Sequence, residues 1–238
     1  MIKGKAVNSY NFLKSAALFS VITMCLVSFV IWAAIGQFDY ITDGKGLTWN
    51  CFLSLVSFIF YCLFRFFYQK KKPFLYVPLF LFWLLFLPNS FYMLTDFKYL
   101  SNFDIKTFAQ PLNSKMYWRS WLYLFAIVDA VMTGCAYGVV AIVDFEKTFL
   151  SNYGRVVKEL IIAFLMFIIG CGVYIGRFVR LNSWDIFRPE KLINELLPHL
   201  DFNGFMYVLI FTYVSWMIYF LLRGMHFVLR ESSSNHEN

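Results

Sequence analysis

The chain has 238 residues, 60% of them hydrophobic and only 15% charged, against roughly 45–50% and 25% in soluble globular domains. With 30 Phe, 15 Tyr and 7 Trp, it carries more apolar surface than one soluble core of this length can hide, so a water-soluble single domain is excluded. The formal net charge of +7 does not point to nucleic acid, because no basic stripe interleaved with polar residues accompanies it.

Taken in chain order, nearly uncharged runs at 15–37, 49–68, 74–95, 119–143, 158–176 and 203–222 are each long enough to cross about 30 Å of hydrocarbon as a helix. The fold expected is therefore all-α and polytopic: one transmembrane domain over 15–222, a short cytoplasmic segment 1–14 and a partly disordered cytoplasmic tail 223–238. The first run is longer than the 7–15 residues usual for the apolar region of a signal peptide, so it reads as an uncleaved helix. A cytoplasmic N-terminus puts 12 of the 21 Lys and Arg residues inside and nine outside. The Lys70-Lys71-Lys72 turn and the basic start of the chain add weight to that orientation, with both termini inside. The charge excess then serves as cytoplasmic anchoring, and the outer face is nearly balanced.

Cys25, Cys51, Cys62, Cys135 and Cys171 all sit in apolar runs without metal-ligand spacing, which suits small buried hydrophobes. The third run ends Leu87-Pro88-Asn89-Ser90-Phe91-Tyr92-Met93-Leu94-Thr95-Asp96. Pro88 withholds a backbone donor, so a kink or stop is expected there. In the fourth run Asp129 lies about ten residues deep, where a charged Asp costs on the order of 2.5–3.5 kcal/mol. It is expected to be protonated and hydrogen-bonded to a Tyr or Thr of a neighbouring helix. Gly134 with Gly138, and Gly172 with Gly176, have the spacing that lets helices approach closely.

The fifth run leads into Gly176-Arg177-Phe178-Val179-Arg180-Leu181-Asn182-Ser183-Trp184-Asp185. If the helix continues, Arg177 and Arg180 share a face and could clamp an anion. In this topology both polar segments emerge on the outer side, so Asn89, Tyr92, Thr95, Asp96, Arg177, Arg180, Asn182, Trp184 and Asp185 form a candidate outward-facing pocket for an anionic headgroup or lipid-linked phosphate. The plain structural alternative has Asp96 and Asp185 paired with the arginines, knitting two helix ends together. Between Pro189 and Pro198 the placing of Leu192, Ile193, Leu196 and Leu197 is helical, giving either a helix in the membrane interface or a lid over the pocket. His199, His226 and His236 fall in separate settings, so no metal site is expected. No cofactor motif is present.

The two polar segments, together with Trp49-Asn50-Cys51-Phe52-Leu53, resemble the domain of unknown function 1361 family of bacterial membrane proteins over roughly residues 48–222. The resemblance implies a multi-pass protein of a bacterial plasma membrane and brings no activity with it. The chain departs from the family pattern at Phe91, where a proline precedes the motif tyrosine, at Tyr99, where a histidine follows Thr-Asp, and at Tyr123, where an acid follows Trp121. These departures remove the best proton-transfer groups and weigh against acid-base catalysis.

Three functions follow. The first is a binding or accessory subunit taking an anionic or amphiphilic ligand, with the lipid bilayer, an anionic lipid or a membrane protein as partner. The second is an enzyme on a lipid-linked phosphate or sugar, with Asp96 or Asp185 as acid/base and Arg177 and Arg180 as the anion clamp. The third is a transporter that uses Asp129.

Overall fold

The computed structural model describes residues 15–16, 18–20, 22–24, 26, 44–102, 115–181, 183–199 and 201–235. Apart from short turns these residues are helical, and five helices are long and apolar enough to cross a membrane. They are α1 (Gly44–Gln69), α2 (Pro73–Tyr92), α3 (Lys115–Phe149), α4 (Arg155–Tyr174) and α6 (Phe202–Asn235). A short helix, α5 (Pro189–Leu196), lies between the last two. The all-α membrane architecture is thus borne out. The expected first span falls mostly outside the described residues. Those of its residues that are described are helical, and Thr23 and the Ser20 carbonyl both hydrogen-bond the Tyr137 hydroxyl, at 2.6 and 3.2 Å.

The chain divides into two compact units, one ending at Tyr137 and the other beginning at Gly138. In the first unit, α1 and α2 form an antiparallel hairpin. Lys71 makes the turn with a left-handed backbone, φ 53°, and Pro73 occupies the first helical position, where its missing N–H costs nothing. Aromatic pairs then close the hairpin step by step: Tyr68 with Tyr76 at 5.2 Å, Phe64 with Phe80 at 5.2 Å and Tyr61 with Trp83 at 5.0 Å between ring centroids. Such pairs contribute about 0.5–1.5 kcal/mol each beyond the area they bury.

Rather than stopping at Pro88, α2 stays helical through both Pro78 and Pro88 and gives way to a 3-10 segment, Met93–Asn102, only after Tyr92. The Asn89 amide donates to the Phe86 carbonyl at 3.0 Å, adding a side-chain donor beside the proline. The close-packed glycine of this region is Gly134 of α3, where a Cβ would stand 3.3 Å from the Ser90 carbonyl and 3.2 Å from Met93 Cβ. Its partner is therefore within the chain.

In the second unit α4 and α6 run antiparallel, and they approach closely at Gly170. A Cβ there would lie 2.7 Å from the Val208 carbonyl and 3.0 Å from the Thr212 nitrogen. The sequence pattern had pointed to Gly172 and Gly176, but side-chain depth on the partner decides which glycine of a helix meets backbone. The last helix runs on to Asn235, past the predicted end at 222 and into the tail expected to be partly disordered. Nothing between Gly224 and Asn235 is a proline or a second glycine, so no backbone signal stops it. At 34 residues α6 is about 50 Å long by the helical rise, longer than a bilayer core is thick.

Candidate functional site

The predicted site residues fall in both units, and each unit is described by itself. In the first, Asp96 lies in the first turn of the 3-10 segment and is fully buried. Its Oδ2 accepts a hydrogen bond of 2.9 Å from the Asn50 side chain of α1. Thr95 turns its hydroxyl back onto the Tyr92 carbonyl at 2.8 Å. Asn89 and Tyr92 are half-buried. Asp129 departs from expectation: its Oδ2 is buried without a hydrogen-bond partner among the described residues, neither Tyr nor Thr. The Cys51 thiol of α1 lies within electrostatic reach of both Asp129 and Asp96.

In the second unit Arg177 and Arg180 do not share the α-helical face that their spacing predicts. After Tyr174 the helix widens into a π turn, Ile175–Val179, and Arg180 leaves it in the left-handed region, φ 62°. The wider turn shifts the angular phase, so residues three apart no longer stack as on an α-helix. A non-glycine residue in that backbone region is strained by about 1–3 kcal/mol. The plain structural alternative fails. Asp185 is buried and paired with Lys191 of α5, at 3.2 Å, rather than with either arginine. Its carbonyl also accepts the Arg188 N–H at 2.8 Å. The side chains of Arg177 and Arg180 make no hydrogen bond or ion pair among the described residues. Trp184 and Phe178 are exposed beside them, and Asn182 lies outside the described residues.

This end of the unit is held by aromatic packing. Phe178 and Tyr207 rings are 4.5 Å apart, and the Tyr174 hydroxyl donates to the His199 carbonyl at 2.8 Å. Helix α5 splits its apolar residues: Leu192 and Leu196 pack against Tyr174, Val179, Leu181 and Val208, while Ile193 and Leu197 stay exposed. One side of this segment thus packs on the protein and the other is exposed.

The strongest polar constellation was not singled out by sequence. Tyr219 and Arg223 are one turn apart on α6 and share a face. They grip the two oxygens of one buried carboxylate, Glu146 of α3: Tyr219 donates to Oε2 and Arg223 to Oε1, each at 2.6 Å. Arg223 extends a second nitrogen to Glu159 of α4 at 3.3 Å. Counted only as span-end charges, these residues look like anchors. The signal available was that one base and two acids approach the same membrane face on three different helices.

Among the described residues no group of three His, Cys, Asp or Glu side chains is placed to hold a metal. The four described cysteines, Cys51, Cys62, Cys135 and Cys171, are free thiols.

Residues 49–218 match the family described as protein of unknown function (DUF1361). The chain belongs to this family. None of the curated proteins or solved structures compared with the chain matches it.

Proposed function

We propose that this DUF1361 protein binds an anionic amphiphile, a lipid or lipid-linked molecule with a phosphate or carboxylate headgroup, through Arg177 and Arg180, and that it does so in a bacterial plasma membrane. The observation that carries this reading is the state of the two arginines: neither has an acidic partner among the described residues, while Asp185 is engaged by Lys191. A guanidinium left unpaired at a helix end offers a permanent charge and five donors suited to a headgroup. Phe178 and Trp184, both exposed, supply apolar surface next to that charge, as an amphiphile requires. A buried, ion-paired Asp185 suits a structural role better than general acid-base work, which favours binding over catalysis.

The test is affinity for a fluorescent anionic lipid in nanodiscs. Arg177→Gln combined with Arg180→Asn, the latter chosen because Asn tolerates the left-handed backbone, is expected to weaken binding about tenfold, in keeping with the loss of charge-assisted contacts. Unchanged affinity would remove the proposal. A second reading, an ion-coupled carrier, is favoured by the unpartnered buried oxygen of Asp129. Proton flux in liposomes that is the same for Asp129→Asn as for the natural chain would eliminate it.

A further inference from the structure

The Glu146–Arg223 end of the second unit carries an open cleft of about 460 Å³, lined by Glu146, Arg155, Lys158, Glu159, Phe220 and Arg223 among others. That is within the roughly 300–1,000 Å³ usual for small-molecule sites. Three cationic and two anionic side chains leave its wall with one net positive charge. Arg223 is already committed to two carboxylates. The charge the cleft offers a ligand therefore lies on Arg155 and Lys158, which make no side-chain hydrogen bond or ion pair among the described residues.

Glu146 and Arg223, held to each other and, through Glu146, to Tyr219, supply one wall of the cleft. Phe220 adds an apolar face and is 58% exposed. Helix α4 begins at Arg155, and its N-cap, Gly154, has no side chain to satisfy the first N–H groups, which reinforces the positive potential of the cleft.

We infer that this cleft is a phosphodiester site: it holds the singly charged headgroup of an anionic membrane lipid between Arg155 and Lys158, with Phe220 against the start of the acyl chains. It lies at the end of α4 opposite to Arg177 and Arg180, the end that the distribution of basic residues assigns to the cytoplasm, and it does not rest on their role. The single net charge matches a diester better than a phosphate monoester, which carries about −1.5 to −2 at pH 7. The mixed lining matches an amphiphile better than a free ion.

The experiment uses the full chain in nanodiscs of phosphatidylcholine and phosphatidylglycerol, with the lipid retained after detergent extraction counted by native mass spectrometry. A parallel arm titrates inorganic phosphate and follows thermal unfolding. Phosphatidylglycerol is expected to be retained selectively, and Arg155→Gln with Lys158→Gln is expected to lower that retention about tenfold. This loss is expected whether or not Arg177→Gln with Arg180→Asn also loses lipid, so the two sites fail separately. Undiminished retention in the Arg155/Lys158 variant overturns the site. Stabilisation by inorganic phosphate without selectivity for phosphatidylglycerol overturns the lipid assignment.

Gly154→Asp separates ligand binding from a merely structural role. Its carboxylate caps α4 and competes for the same charge, so Tm should rise while lipid retention falls. A rise in Tm with retention unchanged also counts against the site.

Discussion

Arg223 and the pair Arg177 and Arg180 are the same chemistry at opposite ends of the α4–α6 helix pair, in opposite surroundings. Arg223 meets Glu146 and Glu159 at its own depth and is held by both, with Tyr219 on the remaining oxygen. Arg177 and Arg180 meet no acid among the described residues, because the π turn changes their phase and Lys191 takes Asp185. The difference lies in the neighbours and not in the residue. A base at a membrane helix end becomes structural when an acid on another helix reaches the same level. It stays available to a ligand when none does.

The most damaging way to break this comparison is to disturb the helix pair that carries both ends. Gly170→Ala drives a Cβ into the backbone of α6 at Val208 and Thr212 and is expected to cost about 3 kcal/mol, as over-packing of a tight interface does. Denaturant titration in mild detergent would read it, and a change below 0.5 kcal/mol would show that α4 and α6 do not approach so closely.

Next comes Glu146→Gln, which removes the charge that Arg223 and Tyr219 grip while keeping the shape. Because the Arg223 side chain is 35% exposed, the expected loss is discounted to about 2 kcal/mol. A thermal melt that matches the natural chain would place Glu146 among the weakly coupled surface charges.

At the other end, Tyr174→Phe deletes the hydroxyl bond to His199 but keeps the ring contacts with Phe178 and Tyr207. About 1 kcal/mol should be lost, with faster hydrogen exchange confined to residues 197–204 as the accompanying sign.

The smallest effect is expected of Arg177→Gln with Arg180→Asn, within about 0.5 kcal/mol of the natural chain, since no ion pair is broken. A larger loss would mean that these arginines are structural after all and would erase the contrast with Arg223.

Much of the fold is legible along the chain because hydrophobic length is a local property. The runs 49–68, 74–95, 119–143, 158–176 and 203–222 coincide with α1, α2, α3, α4 and α6 to within a few residues at most ends. Backbone detail is less legible: Pro88 is accommodated inside α2, and nothing in Ile175–Val179 announces a π turn. Of the site, Asp185 and Asp96 could be recognised as engaged polar groups, but Lys191 and Asn50 could not be named as their partners. The cluster Glu146–Tyr219–Arg223–Glu159 joins residues 64 to 77 positions apart in its two arginine contacts, beyond any motif.

By itself, the amino-acid sequence determined the solvent of this protein, its helical class, the helix positions and the family, because an unbroken apolar run of about 20 residues can satisfy its backbone in lipid only as a helix, whereas barrel strands alternate. Only the tertiary structure decided which charges neutralise one another and which face a cleft. Pairing depends on depth and rotation of side chains across helices, and a π turn of five residues or a glycine contact such as Gly170 with Val208 resets both without leaving a mark in composition.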